Sequence, residues 1–205
     1  MRHCETKVMN TKNLVLFLIL FSTYGFSQNS DTVFIKKETG HKIYKIQNRS
    51  SDLYNDISNF KEFETDHNEK ISQIGLNSSW IRIHKYDGKY FLYGPCDWCN
   101  NTRLQIGDNF MQIRGCELTT YKIISAEKIN QREYKITYVA LSGKKRKTVL
   151  KIKEINSEYN IYEFSYSDGI DLSKMLFIKD SDYKNFDIIN NECKNEKSIE
   201  LKFEE

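Results

Sequence analysis

The chain contains little proline and little glycine. Its 205 residues include one proline and nine glycines. This composition leaves no proline- or glycine-rich linker that would separate two domains. Hydrophobic residues make up 39% of the chain and aromatic residues 13%, which is too apolar for an intrinsically disordered protein. We therefore expect one globular domain with a core of its own.

A large excess of charge of either sign is also absent. Lys and Arg number 31 and Asp and Glu number 28, which gives a formal net charge of +3. A chain this close to neutrality has no global electrostatic attraction for nucleic acid, so we predict no nucleic-acid partner. The one basic run, 144–147, follows Ser142 and Gly143 and is predicted to be a solvated hairpin tip.

Sequence motifs of the common catalytic mechanisms are missing. The chain has no Gly-x-Ser-x-Gly, no His-Glu-x-x-His, no phosphate-binding loop and no dinucleotide fingerprint. Beyond residue 27, the histidines are His41, His67 and His84, so a hydrolase would have to use one of them as its base. We expect no cofactor and no metal ion. The sequence favours a non-enzymatic protein over an enzyme without deciding between them.

Long apolar runs are absent except near the N-terminus. Residues 14–21 form an apolar run that is much shorter than the roughly 20 residues needed to span a bilayer. Lys12 precedes this run, and Gly25 and Ser27 follow it at the −3 and −1 positions of a cleavage site. We therefore predict a cleaved signal peptide over 1–27, a secreted or periplasmic protein, and no transmembrane anchor.

From residue 80 onward, the chain reads as a meander of antiparallel strands. Short segments of alternating apolar and polar residues are separated by turn signals such as Asp87-Gly88. No long helical pattern lies between them, which favours an antiparallel sandwich or barrel over a parallel sheet. The predicted strands are 80–86, 89–94, 102–106, 109–114, 119–127, 132–141, 147–155, 159–166 and 174–179.

The segments on either side of this meander belong to the same predicted β-rich domain, 28–205. Residues 31–37 and 41–47 are predicted to be short strands. The segment 51–63 is predicted to be the one short helix, because its apolar residues recur at helical spacing. From about residue 180, we predict a polar tail with a loop and a short final strand at 198–203.

Four of the five cysteines lie beyond residue 27. They are Cys96, Cys99, Cys116 and Cys193. An even number in an exported chain suggests two disulfides, and three pairings are possible. The first two cysteines form a Cys-x-x-Cys motif that could instead be a redox-active dithiol, and all four together could bind zinc. The motif lies between strands and is not repeated, and both features favour disulfides over redox chemistry or zinc.

The turn of the hairpin after the motif decides the cysteine pairing. A two-residue turn at 107–108 would place Cys99 opposite Cys116, at a distance that a disulfide can bridge. A turn one residue later would place Asn101 opposite Cys116 instead. The predicted disulfides are Cys99–Cys116 and, by elimination, Cys96–Cys193.

A candidate binding face lies on the first two strands of the meander. If residues 87 and 88 form a tight turn, alternation along both strands places aromatic and cationic side chains on one face. The predicted ligand-binding residues are Trp80, Arg82, His84, Phe91 and Tyr93. Such a face could be an ordinary outer sheet surface, or it could line a cavity or a partner surface.

Three sequence features occur together in residues 80–179 and in the tail that follows them. Trp80 begins the first strand of the meander, eight or nine strands with tight turns follow, and Cys193 is a late cysteine in the tail. In these features the chain resembles the lipocalin-like group of small exported β-barrels. Ser78 stands where those proteins usually have glycine, and the helix candidate 51–63 precedes the meander, whereas theirs follows the barrel.

The resemblance implies a mainly β fold in which the antiparallel meander closes into a barrel or a strongly curled sheet. One short N-terminal helix before a curled sheet would also suit a cystatin-like α+β domain. The resemblance also implies an exported, non-enzymatic binding protein that holds a small apolar molecule. A protein partner on an exposed face is equally consistent with the missing catalytic motifs. The alternative is a thiol-redox protein or hydrolase that uses Cys96 and Cys99, or His84.

Overall fold

Twelve β-strands make up most of the computed structural model, which describes residues 32–38, 41–58, 75–76, 78–141, 146–167, 172–193 and 200–204. The strands are β1 Thr32–Glu38, β2 His41–Ile46, β3 Ser78–Tyr86, β4 Lys89–Gly94, β5 Arg103–Ile106, β6 Phe110–Arg114, β7 Leu118–Asn130, β8 Glu133–Ala140, β9 Lys147–Asn156, β10 Ile161–Ser167, β11 Leu172–Lys179 and β12 Asp187–Cys193. The helical segments within these ranges are α1 Asp52–Ser58 and two 3-10 helices, Trp98–Asn100 and Asp180–Asn185. The predicted signal peptide lies outside the described residues.

Eight of the strands close into an antiparallel barrel. Their order is β3-β11-β10-β9-β8-β7-β6-β5, and β5 pairs back onto β3 from Ser78↔Ile106 to Ile81↔Arg103. The predicted mainly β fold and antiparallel meander are therefore confirmed, and the curled sheet is closed. The cystatin-like α+β alternative is wrong, because the sheet closes on itself into a barrel.

Strand β3 is shared between the barrel and a second group of strands. Its first half pairs with β5, whereas its second half pairs on the same edge with β4. From β4 the sheet continues in the order β4-β12-β2-β1, and we call these four strands the side sheet. Within the side sheet, β12 runs parallel to β4 and antiparallel to β2.

The barrel interior is filled with side chains. Trp80 is fully buried there and meets Tyr162 and Phe164 edge-on, with ring centroids 5.1 Å apart in both pairs. The other buried members of this barrel cluster are Leu76, Leu104, Ile106, Met111, Ile123, Ile136, Tyr138, Leu150, Ile152 and Phe177. Large aromatic side chains at the centre of an eight-stranded barrel leave its interior occupied by the protein itself.

A second core covers the opposite face of β3. Ile81 and Ile83 point away from the barrel interior, as strand alternation requires, and pack in a cluster with Leu92. The cluster also contains Tyr54 of α1, whose hydroxyl donates a hydrogen bond of 2.7 Å to the carbonyl oxygen of Phe186. Both faces of the central part of β3 are therefore buried.

The predicted helix 51–63 is present as α1 in its described part. The hydroxyl of Ser51 accepts a hydrogen bond of 3.1 Å from the backbone N–H of Tyr54, which is the arrangement of an N-cap. Residues 59–63 of the prediction lie outside the described residues. The cap and the buried Tyr54 explain why a helix begins at this position.

The C-terminal region is more structured than the predicted polar tail. Strand β12 lies between β2 and β4, and both Ile188 and Ile189 are fully buried. These neighbouring isoleucines face two different cores. The sequence of the strand therefore lacks the apolar–polar alternation that predicts a strand. The final strand predicted at 198–203 is not formed over 200–203, and Glu204 makes only an isolated bridge.

The hairpin between β5 and β6 has the later of the two turns considered. Ile106 pairs with Met111, which places the two-residue turn at 108–109. The register derived from a turn at 107–108 is therefore wrong. Continued toward the motif, the observed register places Asn101 rather than a cysteine opposite Cys116.

Truncation of a buried isoleucine tests the structural role of β12. We expect Ile188→Ala to lower the free energy of unfolding by about 2–4 kcal/mol, because the side chain is fully buried and a cavity would remain. Urea denaturation followed by tryptophan fluorescence measures this change. Ile155→Ala is the matched control, since Ile155 is 43% exposed and should lose less than about 0.5 kcal/mol. Equal losses in the two variants would contradict a core position for β12.

Candidate functional site

The five predicted binding residues share one face of the β3–β4 ladder but lie in two environments. His84 pairs with Phe91 across the ladder, which matches the register expected from the tight turn. Trp80 and Arg82 lie on the side of β3 that faces the barrel interior. Phe91 and Tyr93 belong to a separate apolar cluster outside the barrel, and His84 contacts Tyr93 there. The structure therefore brings together three of the five residues and separates the other two.

Arg82 lies where β3 leaves the barrel. It pairs with Phe177, a member of the barrel cluster, so its side chain is on the interior side of the sheet. Burial lowers the pKa of the guanidinium, and the nearby hydroxyl of Tyr166 acts in the opposite direction. A ligand that contacted both Trp80 and Arg82 would have to enter the filled barrel.

The chain's own C-terminal residues cover the other part of the face. We call 200–204 the C-terminal segment. Leu201 and Phe203 of this segment pack against the cluster of Phe91 and Tyr93. The ring centroid of Phe203 lies 4.2 Å from that of His84 and 4.7 Å from that of Tyr93. The predicted binding face is thus occupied within the same molecule.

A hydrogen-bonded carboxylate anchors the start of the C-terminal segment. Oε2 of Glu200 accepts hydrogen bonds from the hydroxyl of Tyr93 and, at 2.9 Å, from Nδ2 of Asn191. Its Oε1 accepts the backbone N–H of Asp97 at 3.0 Å. Burial alone would raise the pKa of this carboxyl, but the hydrogen bonds from Asp97, Tyr93 and Asn191 lower it. Glu200 is therefore ionised and held by several donors at once.

His84 is a poor candidate for a catalytic base. Burial lowers the pKa of its imidazole to about 3, and the nearby positive charge of Arg82 acts in the same direction. An efficient general base has a pKa near the working pH, so an imidazole that protonates only in strong acid abstracts protons weakly. The position of His84 between Tyr93 and Phe203 fits packing better than catalysis.

Both predicted disulfides are present. Cys96 is bonded to Cys193 at the end of β12, and Cys99 is bonded to Cys116 just after β6. Cys99 reaches its partner although the ladder register is not the expected one, because Trp98–Asn100 forms a 3-10 turn that carries it back toward the hairpin. Each cysteine of the Cys-x-x-Cys motif is therefore bonded to a distant cysteine, and the motif joins three parts of the chain.

A shallow groove lies on the outer surface of β6 and β7. It has a volume of about 280 Å³, and we call it the outer groove. Its lining residues are Asn109, Phe110, Gln112, Thr120, Tyr121, Lys122 and Leu141. The sequence does not predict this site. The available signal was an aromatic side chain, Phe110, on the solvent face of a strand, next to the strongly exposed Leu141.

Cross-strand pairing places apolar and cationic side chains side by side at the outer groove. Phe110 lies opposite Lys122, which lies opposite Val139, which in turn lies opposite Lys147. A Cβ atom at residue 107 would be 2.3 Å from the Phe110 ring, so only glycine allows the ring to lie over this turn. Lys122 is exposed and forms no ion pair with a described residue.

Comparison with protein-family models, with curated proteins and with solved structures found no match to this chain. Among the described residues, no group of three or more His, Cys, Asp or Glu side chains is placed to hold a metal ion. None of the described helices is both long and apolar enough to cross a membrane.

The lowered pKa of His84 predicts a pH-dependent stability. The unfolded chain binds a proton at this residue below about pH 6.5, whereas the folded protein does so only near pH 3. Between these values the unfolded state binds more protons, so the free energy of unfolding falls as the pH is lowered. We expect a loss of about 1–2 kcal/mol between about pH 7.5 and pH 5, measured by urea denaturation.

The variant His84→Phe should remove most of this pH dependence, because phenylalanine keeps a ring beside Phe203 but cannot be protonated. Glu200 does not interfere in this range, since its pKa lies below the ordinary value of 4.5. An unchanged slope of stability against pH in His84→Phe would show that the imidazole is accessible to protons in the folded state.

Proposed function

We propose that the protein is an exported, non-enzymatic binding protein whose ligand site is the outer groove. The observation that carries the proposal is the groove itself, which combines two apolar walls, Phe110 and Leu141, with a cation that has no ion-pair partner among the described residues, Lys122. Small-molecule sites commonly combine an apolar surface with a few polar groups that orient the ligand.

The filled barrel argues for a ligand site on the outside. The resemblance to lipocalin-like barrels implies an apolar molecule in the interior, and a closed eight-stranded antiparallel barrel is compatible with that resemblance. Trp80, Phe164 and Phe177 occupy this interior and are fully buried. A ligand could enter among these buried side chains only if they moved, and repacking a core is costly.

The ligand class follows from the lining of the outer groove. Phe110 and Leu141 would contact an apolar body, Lys122 would attract a carboxylate, and Gln112 and Thr120 offer neutral polar atoms. A volume of about 280 Å³ is just below the roughly 300–1,000 Å³ found for ligand pockets. We therefore propose a small amphiphilic carboxylate, bound with a dissociation constant between about 10 µM and 1 mM.

The cysteines and His84 support a binding role more than the redox or hydrolase alternative. Cys96 and Cys99 are bonded to different partners, so a reversible bond between the two would first require both existing disulfides to break. The imidazole of His84 is buried and weakly basic. Two disulfides are typical of proteins that fold in an oxidising compartment, which agrees with the predicted export signal.

Titration of the ¹⁵N-labelled protein with octanoate tests the proposal. We expect saturable changes in amide chemical shifts that centre on β6 and β7. Lys122→Gln should weaken octanoate binding about twofold to fivefold but leave the weaker binding of neutral 1-octanol unchanged, because only the carboxylate uses the charge. Leu141→Ser should weaken binding of both probes, because it removes an apolar wall.

Lys151→Gln is the matched control, because Lys151 is an exposed lysine on another barrel strand. It should bind octanoate like the parent protein. Shift changes centred on Trp80 and Phe164 would contradict the proposal and restore an interior site. The absence of saturable changes with either probe would also count against it.

A further inference from the structure

The C-terminal segment is held mainly by its side chains. Its backbone contact with a described strand is an isolated bridge, in which the N–H of Glu204 donates to the carbonyl oxygen of Lys85 at 2.9 Å. The N–H of Leu201 donates to the Tyr93 hydroxyl at 3.2 Å rather than to a backbone carbonyl. The segment therefore lies on the face as an extended peptide would, and not as a paired strand of the sheet.

Two turns of the chain bind the two carboxylates of the segment. At one end, Glu200 accepts the backbone N–H groups of Cys96 and Asp97 at 3.4 and 3.0 Å. At the other end, Glu204 accepts the N–H of Gly88 at 2.9 Å and forms an ion pair of 3.0 Å with Lys85. Backbone N–H groups exposed by tight turns are recurrent binding positions for anions.

The left-handed backbone at the second of these turns explains why its amide is available. Asp87 has φ of 51° and Gly88 has φ of 70°, so both residues are in the left-handed region. Successive residues of this kind turn the N–H away from the hairpin ladder and toward the segment. The carboxylate position at Glu204 is therefore part of the β3–β4 hairpin and does not depend on the segment.

A slot made of three rings lies between the two carboxylate positions. The Phe203 ring lies 4.2 Å from His84, 4.7 Å from Tyr93 and 6.4 Å from Tyr86, measured between ring centroids. The last two contacts are edge-to-face, with interplanar angles of 77° and 80°. Aromatic pairs prefer such arrangements, so the slot selects an aromatic side chain over an aliphatic one.

We propose that this groove is a binding site for an extended segment of a partner protein with the pattern Glu-apolar-x-aromatic-Glu. The chain's own residues 200–204 have this pattern and fill the site in the absence of the partner, while Lys202 at the x position is exposed. Recognition rests on two carboxylates and one ring rather than on a ladder, so any polypeptide with these side chains at this spacing satisfies it. The inference is independent of the outer groove.

The disulfide to β12 makes the C-terminal segment a tethered competitor. Cys193 is bonded to Cys96, and the segment follows a few residues later in the chain. A tether this short keeps the segment at an effective concentration of about millimolar or more beside its groove. A partner peptide therefore binds the parent protein weakly and binds tightly only when the segment's own contacts are weakened.

A fluorescent peptide, acetyl-Glu-Leu-Lys-Phe-Glu-amide carrying a dye on a linker, tests the proposal by anisotropy against the full chain. Phe203→Ala empties the aromatic slot, and we expect this variant to bind the peptide at least tenfold more tightly than the parent protein. Lys202→Ala should behave like the parent. A peptide with both glutamates replaced by glutamine, and a peptide of scrambled order, should each bind at least tenfold more weakly.

A change on the groove side completes the test. Tyr93→Phe in the Phe203→Ala background removes the hydroxyl that contacts the first glutamate, and we expect peptide binding to weaken at least fivefold. If Phe203→Ala fails to fold by circular dichroism, Glu204→Gln replaces it under the same criteria, because it removes only contacts at the exposed end of the segment.

Three results would overturn the proposal. The first is a folded Phe203→Ala or Glu204→Gln variant that binds the peptide no better than the parent, since 200–204 would then be a fixed part of the fold. The second is equal binding of the scrambled peptide. The third is a concentration-dependent dimer of the parent protein without peptide binding to either variant, since the occupant would then be a second copy of the chain.

Discussion

Barrel closure depends on one strand, β3, which pairs with two different strands along the same edge. Its first half meets β5 and completes the barrel, and its second half meets β4 and begins the side sheet. Because side chains alternate along a strand, Trp80 packs in the barrel cluster and the next residue, Ile81, packs in the second core. A single nine-residue strand therefore closes the barrel, removes its open edges and separates two cores.

Because β3 is divided in this way, we do not expect a ligand in the barrel interior, where barrels of this kind ordinarily bind one. The interior holds Trp80 and other large side chains, and the part of the face that leaves the barrel is covered by the C-terminal segment. The outer groove lies elsewhere, on the exposed side of β6 and β7. The two proposed sites bind carboxylates by similar means, an aromatic contact next to a group that attracts negative charge. Lys122 supplies this group for a small molecule, and turn amides supply it for a peptide.

The Cys-x-x-Cys motif has a structural role in this arrangement. Its 3-10 turn has little regular hydrogen bonding of its own, yet it is bonded to the end of β12 by one disulfide and to the region after β6 by the other. Just before this turn, the backbone N–H of Asp97 donates a hydrogen bond to the carboxylate of Glu200. Nδ2 of Asn191 donates to the same carboxylate, and Oδ1 of Asn191 contacts the ring of His41. Two disulfides, a charged hydrogen-bond network and the C-terminal segment thus meet at one short turn. The disulfides stabilise this arrangement by reducing the conformational freedom of the unfolded chain.

Local pattern determined much of the fold: period-two alternation and turn residues predicted the nine strands of the meander, and the even number of cysteines predicted two disulfides. The predicted pairing is present, although the hairpin register from which it was derived is wrong. The sequence also placed His84 opposite Phe91, because a tight turn sets the register of a hairpin. Tertiary structure alone decided three matters. Strand β12 is buried on both faces and shows no period, the turn at 108–109 was one of two with similar local chemistry, and the cover over His84 and Tyr93 comes from residues more than a hundred positions away. Alternation assigns a side chain to a face of a strand, but the packing of distant segments decides whether that face is filled, covered or left to a ligand.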